Sequence, residues 1–122
     1  MVKTYKVSHT AFNYIAKAYS LRFEVDNKVI AFSGDTAACE GVELACMGAD
    51  LFACDTSFPK EMNTRIHLNT IEIGIISKRG NVKKLLLYHF YPQYDQDTLV
   101  SEVRENYKSE IVKAVDLDTI EL

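Results

Sequence analysis

"VIAFSGDT", residues 29–36, is the stretch that decides the fold. It reads as a buried strand of four apolar residues that ends in Ser-Gly and then sets a carboxylate, Asp35, on the lip of a sheet. The segment before it, "AYSLRFEV" (18–25), alternates apolar and polar residues as a half-buried strand does. "DN" at 26–27 is a two-residue hairpin turn between the two, so they are antiparallel neighbours. Further upstream, "VKTYKVSH" (2–9) alternates again, whereas residues 10–17 carry no clear pattern.

Downstream, strands alternate with helices. In "TAACEGVELACMGAD", Val42, Ala45 and Cys46 fall on one helical stripe and Gly48 is a natural stop. "DLFACD" (50–55) is a short apolar strand, and Pro59 breaks the loop that follows over 56–66. The isoleucines of "NTIEIGIISKRGN" favour a strand, but Asn69 with Glu72 three residues later makes a capping box and "KRG" makes a helix end; a helix is expected. "VKKLLLYH" (82–89) is a strand, "DTLVSEVRENY" (97–107) an amphipathic helix capped by Asp97, and "EIVKAVD" and "TIEL" are closing strands. The expected class is α+β (α/β): a mixed, partly parallel sheet with about three helices on one face. "VIAF", "LFAC" and "LLLY" are continuous apolar runs, the mark of strands covered on both faces. With helices for one face only, the other needs a cover.

Composition narrows the classes. The 122 residues suit a single domain, with 48% hydrophobic and 25% charged residues and a net charge of -3. That balance gives no basic footprint for nucleic acid, which would enter only as a substrate at a small active site. No apolar run approaches the roughly 20 residues of a membrane span, and no signal pattern follows the first lysines. Cys39, Cys46 and Cys54 are odd in number, lie in apolar surroundings and make no C-x-x-C. They read as reduced core thiols of a cytoplasmic protein. The charges of "SKRGNVKK" and "EVRENYKSE" read as solvated faces.

Three strand ends carry chemistry: Asp35 after "VIAFSG", Asp55 after "LFAC" and His89 after "LLLY". The carboxyl ends of neighbouring strands in an open sheet are where ligands bind. A histidine and carboxylates gathered there make a metal site or an acid–base pair. His9 also ends a strand, and His67 stands just before a helix. The plainer reading is that an Asp after a strand caps a turn or helix and a lone His is structural; Tyr88, Phe90 and Tyr91 read as core.

The same residues resemble a known family. "VSHTAFNYIAKAYSLRFEVDNKVIAFSGDT", "MGADLFACDTSF", "HLNTIEIGIISKRGNVKKLLLYHFYP" and "VDLDTIEL" are similar, in that order, to elements of metallo-β-lactamase-fold hydrolases of the ribonuclease Z-like branch. The resemblance runs from residue 7 onward and uses all three histidines. It implies that His9, Asp35 and His89 are metal ligands for Zn²⁺ (or Mn²⁺/Fe²⁺), with Asp35 bridging two ions. His67 would be a non-ligand His that gives a proton to the leaving group, and Asp55, where many relatives have Glu, would orient it.

The resemblance also implies that residues 1–122 are the C-terminal half of an αβ/βα sandwich. The H-x-H-x-D-H string that supplies most of that family's ligands does not occur here. The expectation is therefore a metal-dependent hydrolase of phosphodiester or ester bonds that alone binds metal weakly and hydrolyses little. Its bare sheet face would be covered by a second copy in a homodimer or by a separate N-terminal half. The rival reading is a non-catalytic remnant that serves as an interaction or scaffold module.

Overall fold

A computed structural model describes residues 1–11, 14, 15 and 17–122, and only the backbone of 11, 14 and 15. The six strands of the main sheet are β1 (Val2–Val7), β4 (Ala18–Val25), β5 (Lys28–Phe32), β6 (Leu51–Asp55), β7 (Lys84–Tyr88) and β8 (Glu110–Lys113). They lie side by side in the order β1-β4-β5-β6-β7-β8. Between β1 and β4, β2 (Thr10–Ala11) and β3 (Tyr14–Ile15) form a small antiparallel pair of their own. The helices are α1 (Glu40–Cys46), α2 (Thr70–Arg79) and α3 (Gln96–Arg104).

The sheet is mixed, as the alternation of elements implies. β1, β4 and β5 pair antiparallel, and β5 to β8 run parallel, joined by the three helices. The β4–β5 turn falls on Asp26 and Asn27, with φ of 49° and 61°. Positive φ at both turn residues twists the hairpin with the sheet, and Asp and Asn tolerate it best among residues other than glycine.

Register puts Ala31, Phe52, Leu85 and Ile111 in one row on one face. With Cys54 and Leu87 they join Val42, Cys46, Ile73, Ile76 and Val103 from the helices in one core cluster. The helices therefore all pack on that face. Phe52 is fully buried there; truncating such a side chain to Ala costs about 3–5 kcal/mol. α1 reaches the sheet through Gly41, where a Cβ would stand 2.1 Å from the Lys6 carbonyl oxygen, so no larger residue fits.

α2 begins with the anticipated capping box: Asn69 Oδ1 accepts from the Glu72 N–H, and Glu72 Oε2 accepts from the Asn69 N–H, both at 2.9 Å. Two expectations need correction. α3 is capped by Asp95, not Asp97; Asp95 Oδ2 accepts from the Thr98 N–H at 2.8 Å, three residues on, where a cap must reach. Asp97 lies inside the helix and its carboxylate takes Lys113 Nζ at 2.7 Å instead. "TIEL" is not a strand. The chain turns at Leu117 (φ 69°) after the edge strand β8, and the tail is tied by Lys84 Nζ, which donates to the Glu121 carbonyl at 2.6 Å.

The opposite face is apolar. Register sets Val2 beside Phe23, Phe23 beside Ile30, Leu21 beside Phe32, and Phe32, Ala53 and Leu86 in one row. Central β6 is buried along its whole length. Toward the β1 side the face opens, with Phe32 38%, Tyr19 49%, Val25 56% and Val2 58% exposed. The sequence-based reading that both faces of these strands need cover holds for β6 alone; β7 alternates between buried and half-buried residues, and β5 is buried only at Ala31, with Lys28 and Phe32 exposed. Among the described residues no helix is long and apolar enough to cross a membrane.

Burial also sets the thiols apart. It pushes the Cys46 thiol up to about 12 and raises that of the fully buried Cys54 well above its usual value, while Cys39 is half-exposed. A thiol reagent at pH 8 is expected to label only Cys39 rapidly in the native chain and all three cysteines after denaturation. Rapid native labelling of Cys46 or Cys54, read by mass spectrometry, would contradict this packing.

Candidate metal centre

The parallel strands β5, β6 and β7 end together, and each hands over a polar residue. After β5 the chain turns at Gly34, with φ of 61°; a Cβ there would stand 2.9 Å from the Tyr19 carbonyl oxygen. Glycine alone makes this turn without strain, and the turn delivers Asp35. β6 ends in Asp55, and β7 is followed by His89. His89 itself has φ of 59°, in the left-handed region that residues other than glycine seldom adopt, and such conformations gather at functional sites.

Loop contacts bring the other members in. The Ala37 N–H and Thr36 Oγ1 both donate to the Ser8 carbonyl, at 2.7 and 3.2 Å, tying the loop after β5 to the end of β1. The Thr10 N–H donates to the Arg65 carbonyl at 2.9 Å, and His9 Nδ1 to the Ile66 carbonyl at 2.7 Å. These place His9 beside the loop that leads to His67. Phe58 and Asn69 form a parallel bridge across the ends of that loop.

Asp35, Asp55, His67 and His89 each offer a donor atom within 4.8 Å of the others. The group has two levels. Asp55 is fully buried and His67 is 4% exposed, whereas the side chains of Asp35 and His89 are 48% and 39% exposed. In the lower level, His67 Nδ1 donates to Asp55 Oδ2, and Ser57 Oγ donates to Oδ1. His89 Nδ1 reaches Asp55 Oδ1 at 3.1 Å and lies 3.6 Å from Asp35 Oδ1. The Asp55 N–H donates to Ser33 Oγ at 2.9 Å, which fixes the strand end as well as the carboxylate. A buried carboxylate is tolerated only when donors replace its lost water, and here imidazole and hydroxyl donors do so.

His9 stands outside the four-residue group, next to it. Its ring centroid is 5.3 Å from that of His67, which is 5.4 Å from that of His89. Five sequence-derived candidates thus gather at one end of the sheet: Asp35, Asp55, His67 and His89 in one cluster, and His9 on its flank. Two neighbours were not read as site residues from the sequence. Ser57, two residues past Asp55, joins the carboxylate. Tyr91, read as core, places its hydroxyl 3.1 Å from His67 Nε2.

The fit of this donor set to a cation depends on where each ring nitrogen is already engaged. A metal-bound histidine generally gives its other ring N–H to a carboxylate or a backbone carbonyl. His89 Nδ1 does so to Asp55, and His9 Nδ1 to Ile66. Among the described residues, neither Nε2 has a hydrogen-bond partner. Imidazole nitrogen with carboxylate oxygen is the donor chemistry of zinc, manganese and iron sites. The residues present fit such an ion.

The fold is the one found in metallo-β-lactamase fold proteins, and the candidate metal cluster stands at the carboxyl ends of its parallel strands. A metallo-β-lactamase fold protein of Bacillus subtilis, YhfI, superposes with a TM-score of 0.83 at 21% identity, over 93% of this chain and 46% of that one. The short form of human tRNase Z gives 0.71 at 17% identity, over 98% and 42%. In sequence, ribonuclease Z of Methanosarcina acetivorans is 33% identical over 101 residues, 78% of this chain and 33% of its own. An uncharacterized protein of Mycobacterium leprae is 26% identical over 109 residues, 87% of this chain and 38% of its own. No family model matches the chain. The chain shares the metallo-β-lactamase fold and is similar in sequence to ribonuclease Z, and it spans about a third to two-fifths of the length of these two curated relatives.

The two levels differ in what they contribute to stability. Asp55→Ala leaves the His67 N–H and the Ser57 hydroxyl without their acceptor, and is expected to cost about 1–3 kcal/mol. Asp35→Ala, on the exposed lip, is expected to change stability by no more than about 0.5 kcal/mol. Urea unfolding of both variants measures the difference; equal losses would contradict the two-level arrangement.

Proposed function

We propose that this chain carries one half of the active site of a metal-dependent hydrolase acting on phosphodiester or ester bonds. The observation that carries this reading is the meeting of two carboxylates and two imidazoles at the carboxyl ends of three neighbouring parallel strands, donor atoms within 4.8 Å. His9, Asp35 and His89 are the proposed ligands and Zn²⁺ the proposed ion, with Mn²⁺ or Fe²⁺ as substitutes. When bound, such an ion supplies a water of lowered pKa and positive charge beside the scissile group.

The protein's own part is proton handling and orientation. Asp55 holds Nδ1 of His67, so the ring is fixed with Nε2 toward the outer side of the pair. From there His67 serves as the donor to the leaving oxygen. Ser57 keeps Asp55 and His89 together, with its hydroxyl on the carboxylate and 3.1 Å from His89 Nδ1. Water is excluded from Asp55 and His67 by burial, which strengthens their interaction.

Three ligands from this chain leave the site short of what two ions need, and the open face of the sheet ends at that site. The proposed occupant of the face is a second β-layer bearing H-x-H-x-D-H, on the same polypeptide or another. The coverage figures support it: the chain aligns to 46% of the Bacillus subtilis protein. A second copy of the chain is the competing occupant, since an exposed apolar face of this kind seeks a partner. Light scattering at micromolar concentration separates them. A monomer favours the ligand-bearing half, and a dimer disrupted by Phe32→Lys favours the second copy.

Zinc titration of the purified chain, followed by calorimetry, tests the metal reading. Binding is expected to be weak in the wild type and to fall at least tenfold in both Asp35→Ala and His89→Ala. No binding at millimolar Zn²⁺ or Mn²⁺, or binding unchanged in both variants, would overturn it.

A further inference from the structure

His67 is one of the four residues whose donor atoms could meet a common cation. Its surroundings argue against that use. Four rings enclose it: His9, Phe58, His89 and Tyr91, with centroids 5.2–5.8 Å away. Only 4% of its surface remains exposed. Both ring nitrogens are engaged, Nδ1 with Asp55 Oδ2 and Nε2 with the Tyr91 hydroxyl.

The Asp55 carboxylate can only accept, so Nδ1 must carry a proton. If the ring is neutral, the Nε2 lone pair takes the Tyr91 O–H; if it is charged, Nε2–H gives to the Tyr91 oxygen. Neither form leaves a lone pair for a metal. Tyr91 is itself held in place, its ring edge-on to Phe58 at 5.5 Å and to His89 at 5.6 Å. Its half-buried hydroxyl therefore sits on the outward nitrogen of a buried imidazole for a geometric reason, since the ring cannot swing without breaking two aromatic contacts.

We propose that Tyr91 is a positioning residue which, together with Asp55, keeps His67 protonated on Nδ1 and withholds its Nε2 from any cation held by Asp35, His89 and His9. The tyrosine thereby separates the ligand histidines from the proton-handling one. The role in withholding a cation rests on the function proposed above; the state of the His67 ring does not. A leaving oxygen reaches Nε2 by displacing the Tyr91 hydroxyl, so the hydroxyl marks the position where that oxygen would accept.

The test is ring-nitrogen spectroscopy of the ¹⁵N-labelled chain, by long-range proton–nitrogen correlation, with His67 assigned by His67→Gln. In the metal-free wild type His67 should show a protonated Nδ1. Tyr91→Phe should move only the Nε2 signal of His67, toward that of a nitrogen without a hydrogen bond, while Nδ1 stays protonated. On Zn²⁺ addition His89 and His9 should respond in both proteins, and His67 only in Tyr91→Phe. A wild-type His67 protonated on Nε2 alone, or a Tyr91→Phe spectrum with His67 unchanged, would overturn the proposal. If no histidine responds to Zn²⁺, the proposed function fails, and Tyr91 is judged by the metal-free spectra, which need no ion. The wild-type spectrum decides the Nδ1 assignment even if the variant does not fold.

Discussion

The structure turns on one buried carboxylate. Asp55 ends β6, the strand buried along its whole length, and is itself inaccessible to water. An unpaired charge there would be prohibitive, so the surroundings must supply donors. They come from three places in the chain: Ser57 just beyond the strand, His67 from the loop before α2, and His89 from the end of β7. Satisfying that one group fixes the ends of two strands and the path of the 56–69 loop. The same hydrogen bonds that make the carboxylate tolerable orient the imidazoles, so stability and the candidate chemistry share their atoms.

Much of this was legible in the sequence because local and global signals agree there. Each of the runs "VIAF", "LFAC" and "LLLY" stops close to a chemistry-bearing residue, and parallel neighbours ending together bring those residues together. The Asn69–Glu72 box marked the start of α2 against the strand preference of its isoleucines, and the core face of the helix settled the matter. The turn at Asp26–Asn27 followed from the tolerance of these two residues for positive φ.

What escaped sequence reasoning lies in loops, where no periodicity reports which way a side chain faces. Ser57 sits two residues past the end of β6, in a segment that reads as plain loop, and Tyr91 three past the end of β7, where it reads as core. His89 adopts a left-handed conformation, which ends the extended run and lets Tyr91 return over His67. His is among the residues that tolerate that conformation, but tolerance alone does not announce it. The cap of α3 was placed two residues late for a related reason: Asp95 and Asp97 both suit a helix start, and only the reach to the Thr98 N–H distinguishes them. Of the two closing strands expected, "EIVKAVD" supplies β8, whereas "TIEL" forms none, because β8 is an edge and the tail after Leu117 leaves it.

The two faces of the sheet differ. The helix face is closed by a continuous core; the other is apolar, partly open and bordered by the donor cluster at its strand ends. The second layer proposed for that face would bury apolar area and bring side chains to the site in the same step. The most direct measurement is anomalous diffraction from crystals of the chain soaked in Zn²⁺. A zinc peak is expected at about 2.0–2.2 Å from Asp35 oxygen and His89 Nε2. Clear density for the site with no zinc at these two side chains would contradict it.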